Sequence, residues 1–323
     1  MSKTGKLKGA QNRRRKYSRS FGASTKAAPN SKGNKHERGK QEMKRALTVI
    51  LLIPLMSSTA AAQSFIGDGI STAVEAVQQG LDLIWPDELN LEDVNARAGI
   101  GFGTTPDYVG SDDYRLRVVP LIDIRYKDIW RLNGSVLTLS AFRKGKLEAG
   151  PLVNYRPGRS VGRNPALEGL GSIGSVFQVG AFTRYKSKTA LFSVDYRYGL
   201  SENIRHSMRL TAGHGIYKNG NFYAMLGARA KWLSKVTMQT AFGITEEQAE
   251  NSAIGLPAFE ANGGFSEVAV NLVGAYRLNE KARLLTLISY GHLLGSARNS
   301  PLAAEGVGSG SQFAVGAGMV FSF

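Results

Sequence analysis

Residues 311–323 read Ser-Gln-Phe-Ala-Val-Gly-Ala-Gly-Met-Val-Phe-Ser-Phe. Phe313, Val315, Ala317, Met319, Phe321 and Phe323 take every second position, and Gln312, Ala314, Gly316, Gly318, Val320 and Ser322 lie between them. Successive side chains of a strand point to opposite faces, so this is a strand with one apolar face and one small or polar face. A globular strand averages about 5–6 residues. A tilted strand needs about 9–11 to cross a bilayer, and this run is long enough.

The same period of two recurs upstream. Val94, Ala96, Ala98, Ile100 and Phe102 alternate with Asn95, Arg97, Gly99, Gly101 and Gly103. Comparable runs surround Leu116–Tyr126, Ala190–Tyr198, Phe222–Trp232 and Val268–Tyr276. Aromatics cluster near segment ends, at Tyr126, Trp130, Tyr185, Tyr198, Tyr217, Trp232 and Tyr276, as in the girdles that flank a membrane. An open strand edge cannot be satisfied by lipid, so the sheet must close. The expected fold is all-β, a closed antiparallel transmembrane barrel over 94–323 in contact with outer-membrane lipid. Phe323 matches the C-terminal assembly signal of such barrels, which implies the barrel-assembly machinery as a partner.

Twelve segments are expected: 94–103, 115–126, 129–139, 146–155, 175–185, 189–199, 206–217, 221–232, 235–244, 266–278, 281–292 and 311–323. Segment 129–139 alternates least well, and without it the count falls toward ten. With twelve, the short turns Lys127-Asp128 and Asn279-Glu280-Lys281 face the periplasm, and connections 104–114, 245–265 and 293–310 face outward. Connection 156–174 then falls in the periplasm, although it is long.

The face opposite the lipid is basic. Arg97, Arg115, Arg117, Arg125, Arg184, Arg197, Arg209, Arg229, Lys231 and Arg277 fall on it, with Asp123 and Asp195 as ion-pair partners. Such a lumen can be filled with charged networks, or it can attract anions through a passage. Barrels of eight strands are filled and those of about sixteen are open, so twelve does not decide. The filled lumen is the favoured reading, with a narrow channel for small anionic solutes as the alternative.

The charge of the whole chain is concentrated elsewhere. It has 41 Lys+Arg, 25 Asp+Glu and a net charge of +16. Residues 1–45 hold 15 Lys/Arg against Glu37 and Glu42, so they carry +13 and leave +3 for the rest. Residues 1–42 are expected to be a disordered basic extension outside the mature protein. Met43 then opens a signal peptide over 43–62, with Lys44 and Arg45 as its basic start and Ala46–Met56 as its apolar run. Small residues follow, and cleavage is expected after Ala62. Residues 63–93 place Phe65, Ile66, Ile70, Val74, Val77, Leu81 and Ile84 at helical spacing before Pro86, which predicts a periplasmic amphipathic helix and linker. No nucleic-acid partner is expected for the folded part. The chain has no cysteine, which removes thiolate chemistry and disulfides.

Three stretches resemble the MltA-interacting protein/OmpV family of outer-membrane proteins. Pro106-Asp107-Tyr108-Val109-Gly110-Ser111-Asp112-Asp113-Tyr114-Arg115 is the most specific, with Tyr108, Gly110, Ser111, Asp112, Tyr114 and Arg115 as its signature. The others are Gly150–Arg159 and Leu293–Pro301. The resemblance covers about 93–323. It implies a scaffold that links a murein lytic transglycosylase to a peptidoglycan synthase in cell-wall remodelling.

Enzymatic and cofactor chemistry is not expected. Gly101-Phe102-Gly103 lacks the rest of a phosphate loop. Asp107, Asp112 and Asp113 lack the spacing of a calcium loop. His206, His214 and His292 are joined to no nucleophile by any pattern, and Ser207 and Ser289 stand without an orienting acid. No metal or cofactor site is assigned.

Overall fold

The computed structural model describes residues 94–323. The expected basic extension, the signal peptide with cleavage at Ala62, and the 63–93 helix lie outside the described residues.

The strands are β1 (Val94–Pro106), β2 (Tyr114–Tyr126), β3 (Trp130–Asn133), β4 (Val136–Leu139), β5 (Phe142–Lys144), β6 (Leu147–Arg156), β7 (Val176–Lys186), β8 (Ala190–Gly199), β9 (His206–Asn219), β10 (Phe222–Leu233), β11 (Gly264–Arg277), β12 (Ala282–Leu293) and β13 (Ser311–Ser322). Each pairs antiparallel with its neighbour in the chain, except that β4 skips to β6. The ring closes where β1 pairs with β13, from Arg97 opposite Ser322 to Thr104 opposite Val315. Phe323 adds one more bond there, donating its N–H to the Ala96 carbonyl at 2.9 Å. Twelve strands form the closed barrel, and β5 is an extra piece paired only with β6.

The closure seam is built on glycine. Gly101 lies opposite Gly318 and Gly103 opposite Gly316. A Cβ on Gly103 would lie 2.4 Å from the Val315 carbonyl oxygen, so the two backbones can pair this closely only without one.

Twelve strands were expected, but two segments are corrected. Segment 129–139 is a hairpin, not one strand. Gly134 turns between β3 and β4 with φ of 57°, and Asn-Gly is a strong hairpin signal. Segment 235–244 is helical, α1 (Lys235–Phe242). It buries Met238 and Phe242, four residues apart on one helix face, above the strand ends rather than in the wall. One strand gained and one lost leave the count at twelve, and the ten-strand alternative fails.

The hairpin also moves a loop. With β3 and β4 counted separately, 157–175 emerges at the same rim as 107–113, 234–263 and 294–310. The expectation that this connection is periplasmic is therefore wrong. Short turns mark the opposite, periplasmic rim. The turn at Lys127-Asp128 places both residues at positive φ, 51° and 53°, as a two-residue hairpin turn requires.

The outer wall is apolar and bare. Ile100, Phe102, Leu116, Phe192, Val270, Ile288 and Val315 are exposed, which is unfavourable in water and natural in lipid. Trp130, Tyr185, Tyr217, Phe222 and Tyr276 ring the short-turn end, and Tyr114, Phe177, Phe265, Tyr290 and Phe313 ring the other. About ten residues separate Phe222 from Trp232 on β10, roughly 33 Å of strand. At a tilt near 40° this spans about 25 Å, the height of an outer-membrane apolar band. The protein is an outer-membrane β-barrel.

Candidate functional site

Inside the barrel, Asp123 is the hub of the lower half. Its carboxylate lies 2.7 Å from Arg131, 3.3 Å from Arg97 and 3.5 Å from Arg125. Arg97 and Asp123 are 2% and 1% exposed although both face the lumen. Higher up, Arg197 holds Asp195 at 2.9 Å, and Arg229 holds Glu267 at 2.6 Å. Arg209 stands opposite Asp195 across β8 and β9. Arg184 binds Glu148 at 2.8 Å. Arg277 shares the inward parity of β11 but sits at the periplasmic rim, donating to the Asn221 side chain at 3.0 Å.

Sequence reasoning missed several lumen groups. Arg131 was hidden because its segment was read as one strand. Glu267 follows from parity, being two residues before Ala269 on the inward face of β11. Asn154 donates to Gln178 at 2.8 Å, and Ser289 donates to Asn271 at 2.7 Å, so Ser289 is a link in a polar row and not a nucleophile beside a base.

The other half of the lumen is apolar. Leu121, Met225, Val273, Ala275, Leu285, Leu287 and Val320 form a buried cluster. Arg283 stacks over the Tyr223 ring at 5.6 Å beside it. Inward-facing side chains with this little exposure are those of a filled barrel.

The long loops bond to one another across the outer mouth. Tyr108 is fully buried, and its hydroxyl donates toward the carbonyls of Leu302 and Val307, at 3.1 and 3.2 Å. Gly110 and Ser309 are joined through backbone at 2.7 Å, and the Gln312 side chain accepts from the Gly110 N–H at 3.0 Å. Ser111 is buried and its hydroxyl accepts from the Asp113 N–H at 3.1 Å. Asp107 takes a two-point contact from Arg115, which also donates to the Arg163 carbonyl. Arg117 donates to the Asp107 carbonyl at 3.0 Å. Asn164 ties Asp113 to the 157–175 loop at 2.8 Å. Tyr114 is exposed on the aromatic girdle, and its hydroxyl accepts from the Phe313 N–H at 3.2 Å; Asp112 is exposed on the cap.

Beneath these bonds lies an apolar core formed by Tyr108, Leu167, Leu170, Ile244, Leu256 and Leu302, drawn from four loops. Burying each aliphatic side chain contributes roughly 1.5–3 kcal/mol. A second cluster adds Met238, Phe242, Leu293 and Ala297, the last from α2 (Gly295–Asn299). Ser300 donates to the Phe242 carbonyl at 2.6 Å, and Arg159 donates to the Ala241 carbonyl at 2.9 Å. The motif around Tyr108 therefore organises a lid.

Two cap groups have shifted acidities. Burial pushes the Tyr108 phenol up to about 12, with the Asp112 charge adding to it. Burial alone would raise Asp107, but hydrogen bonds from Arg115 and Asn164, with the Arg115 charge, outweigh it and hold the carboxyl below its usual range.

The periplasmic rim differs in character. Lys127, Lys144, Lys146, Lys188, Lys218 and Lys281 are exposed there, against Asp128 and Glu280. Among the described residues no cluster of His, Asp and Glu is arranged to hold a metal ion. His206 pairs with the Tyr196 hydroxyl at 2.6 Å on the outer wall, and His292 lies 3.4 Å from the Ser311 hydroxyl.

A sequence model of the family described as MltA-interacting protein MipA matches residues 98–323. No curated protein matches the chain by sequence. Among solved structures the chain is similar to a NanC porin, at 11% identity over 71% of this chain and 98% of that one, with a TM-score of 0.38. It is also similar to an outer membrane channel from Pseudomonas putida F1, at 11% identity, 72% and 96% coverage and a TM-score of 0.35. The same holds for OmpT of Vibrio cholerae, at 11% identity, 73% and 99% coverage and a TM-score of 0.34. Likeness at this level carries nothing about function.

Proposed function

Because the chain belongs to the MltA-interacting protein MipA family, we propose that it is a non-enzymatic outer-membrane scaffold in cell-wall remodelling. Its periplasmic rim holds a murein lytic transglycosylase beside a peptidoglycan synthase. The observation that supports this placement is the exposed lysine set on the short turns, Lys127, Lys144, Lys146, Lys188, Lys218 and Lys281. A rim with this excess of positive charge recruits and orients an acidic partner surface. The opposite mouth is occupied by its own loops, so docking on the murein side falls to the turns.

The alternative of an anion channel draws less support, since the lumen-facing Arg97, Asp123, Leu285 and Val320 are buried. The test is binding of a purified lytic transglycosylase and a purified synthase to the full chain in nanodiscs. Both are expected to bind together, with affinity that falls as salt rises. If neither binds, the scaffold reading fails.

A further inference from the structure

Twelve strands enclose more space than their own side chains fill. Barrel diameter grows with strand number, and eight strands are just filled by side chains, so twelve make a lumen roughly half again as wide. Yet the short inward side chains of Ala269, Ala275 and Ser322 are only 4%, 1% and 2% exposed. Side chains of this length do not reach one another across such a width.

The charge of the lumen is also lopsided. Asp123 is one negative charge among Arg97, Arg125 and Arg131. Asp195 binds Arg197 and lies opposite Arg209. Glu267 binds Arg229 and lies opposite Lys231. Each carboxylate thus stands among two or three cations, and the buried Arg283 lies opposite Arg277 and Val320. The bonds these cations make leave their charge in place, and buried charge is costly without charge of the other sign nearby. The other side of the lumen is apolar, around Val273, Leu285 and Val320.

The chain that leads into β1 has the matching composition. Residues 63–93 hold seven Asp or Glu and no Lys, Arg or His. At helical spacing Asp68, Glu75 and Asp82 fall on one stripe, and Ile70, Val74, Val77 and Leu81 fall on the opposite side. The segment joins the barrel at Val94, which pairs with Tyr126 beside the periplasmic Lys127-Asp128 turn. Residues 85–93 can span up to about 30 Å, enough to carry the two stripes back inside the barrel.

We propose that residues 63–84 fill the lumen from its periplasmic mouth, with the Asp68, Glu75 and Asp82 stripe on the arginine belt and the apolar stripe on Val273, Leu285 and Val320. The acids supply the counter-charge of the belt, and the apolar stripe covers Ala275. The protein's own chain then takes the place that a small anion would occupy.

The chain has no cysteine, so introduced thiols report alone. The full chain carrying V77C/A275C is treated in outer membranes with a short bis-maleimide, and V77C/K127C is the counterpart at the rim. Crosslinking within one chain is expected for the lumen pair, roughly tenfold above the rim pair. Added to the lumen pair, D68N/E75Q/D82N should lower its crosslinking by a similar factor. The same three changes should make the barrel conduct anions in planar bilayers, where wild type does not. Crosslinking of the rim pair in place of the lumen pair overturns the proposal, as does a dimer-sized product in place of the internal one. Unchanged crosslinking and conductance in the neutralised variant also overturn it. Unheated gel migration checks that this variant has folded. If it has not, Glu75→Gln alone carries the same expectation.

Discussion

Tyr108 on the first long loop and Leu302 on the last are bonded through the Tyr108 hydroxyl at 3.1 Å, across 194 positions of the chain. The contact locks the mouth of the barrel beside the seam where β1 meets β13. Tyr108→Phe keeps the ring but leaves the Leu302 carbonyl short of a donor, which costs about 1–3 kcal/mol at a buried site. Faster cleavage of the outer loops by added protease is expected, with unheated gel migration of the barrel unchanged. Equal cleavage of variant and wild type would remove Tyr108 from the lid's support.

The lid also has a pH window. A phenol raised in the folded state stabilises it fully below pH 10 and loses that contribution as pH rises toward about 12. Asp107 works at the other end: its depressed carboxyl contributes above its ordinary value of 3.8, and the contribution disappears as pH falls below that. Loop protection against proteolysis or hydrogen exchange should therefore be flat through neutral pH and fall at both extremes. Asp107→Asn should abolish the acid limb and leave the alkaline limb in place.

In the lumen, Asp123→Asn leaves Arg97, Arg125 and Arg131 around a neutral group. Breaking a buried ion network from one side costs about 3–5 kcal/mol. The folded barrel should convert to the unfolded band at a lower temperature or urea concentration than wild type. The paired change D123L/R131L, which removes two charges, should recover part of the loss. No change in either variant would mean that the three arginines do not depend on this carboxylate.

At the seam, Gly103→Val should block closure, because its first side-chain carbon meets the Val315 carbonyl oxygen at 2.4 Å. Membrane fractions should hold little heat-modifiable protein. Gly145→Ala is the control: its added carbon meets nothing within 4 Å, but φ is 59°, so it should carry a modest backbone penalty and still assemble.

The wall was legible from alternation because lipid imposes a strict rule on every second residue. Ile100 and Phe102 outward and Arg97 inward followed from period two, as did the pairing of Asp123 and Asp195 with arginines. The rule holds only inside the membrane band. Val236, Met238, Thr240 and Phe242 also alternate, yet they fold as helix α1, where Met238 and Phe242 are fixed by packing on the lid and not by lipid. The hairpin at Asn133-Gly134 carried a turn signal that a count of long segments passed over, and the side of loop 157–175 was misplaced with it. The lid contacts of Arg159, Arg163 and Asn164 join loop 157–175 to segments distant in the chain, which no local spacing encodes.

The most direct measurement is site-specific photocrosslinking in cells, with the probe placed in turn at Lys146 and Lys188 on the periplasmic rim and at Asp112 and Glu250 on the lid. Crosslinks to a lytic transglycosylase or a peptidoglycan synthase from the two rim sites, and not from the two lid sites, are predicted. Crosslinks to those enzymes from the lid, or none from the rim, would contradict the periplasmic scaffold.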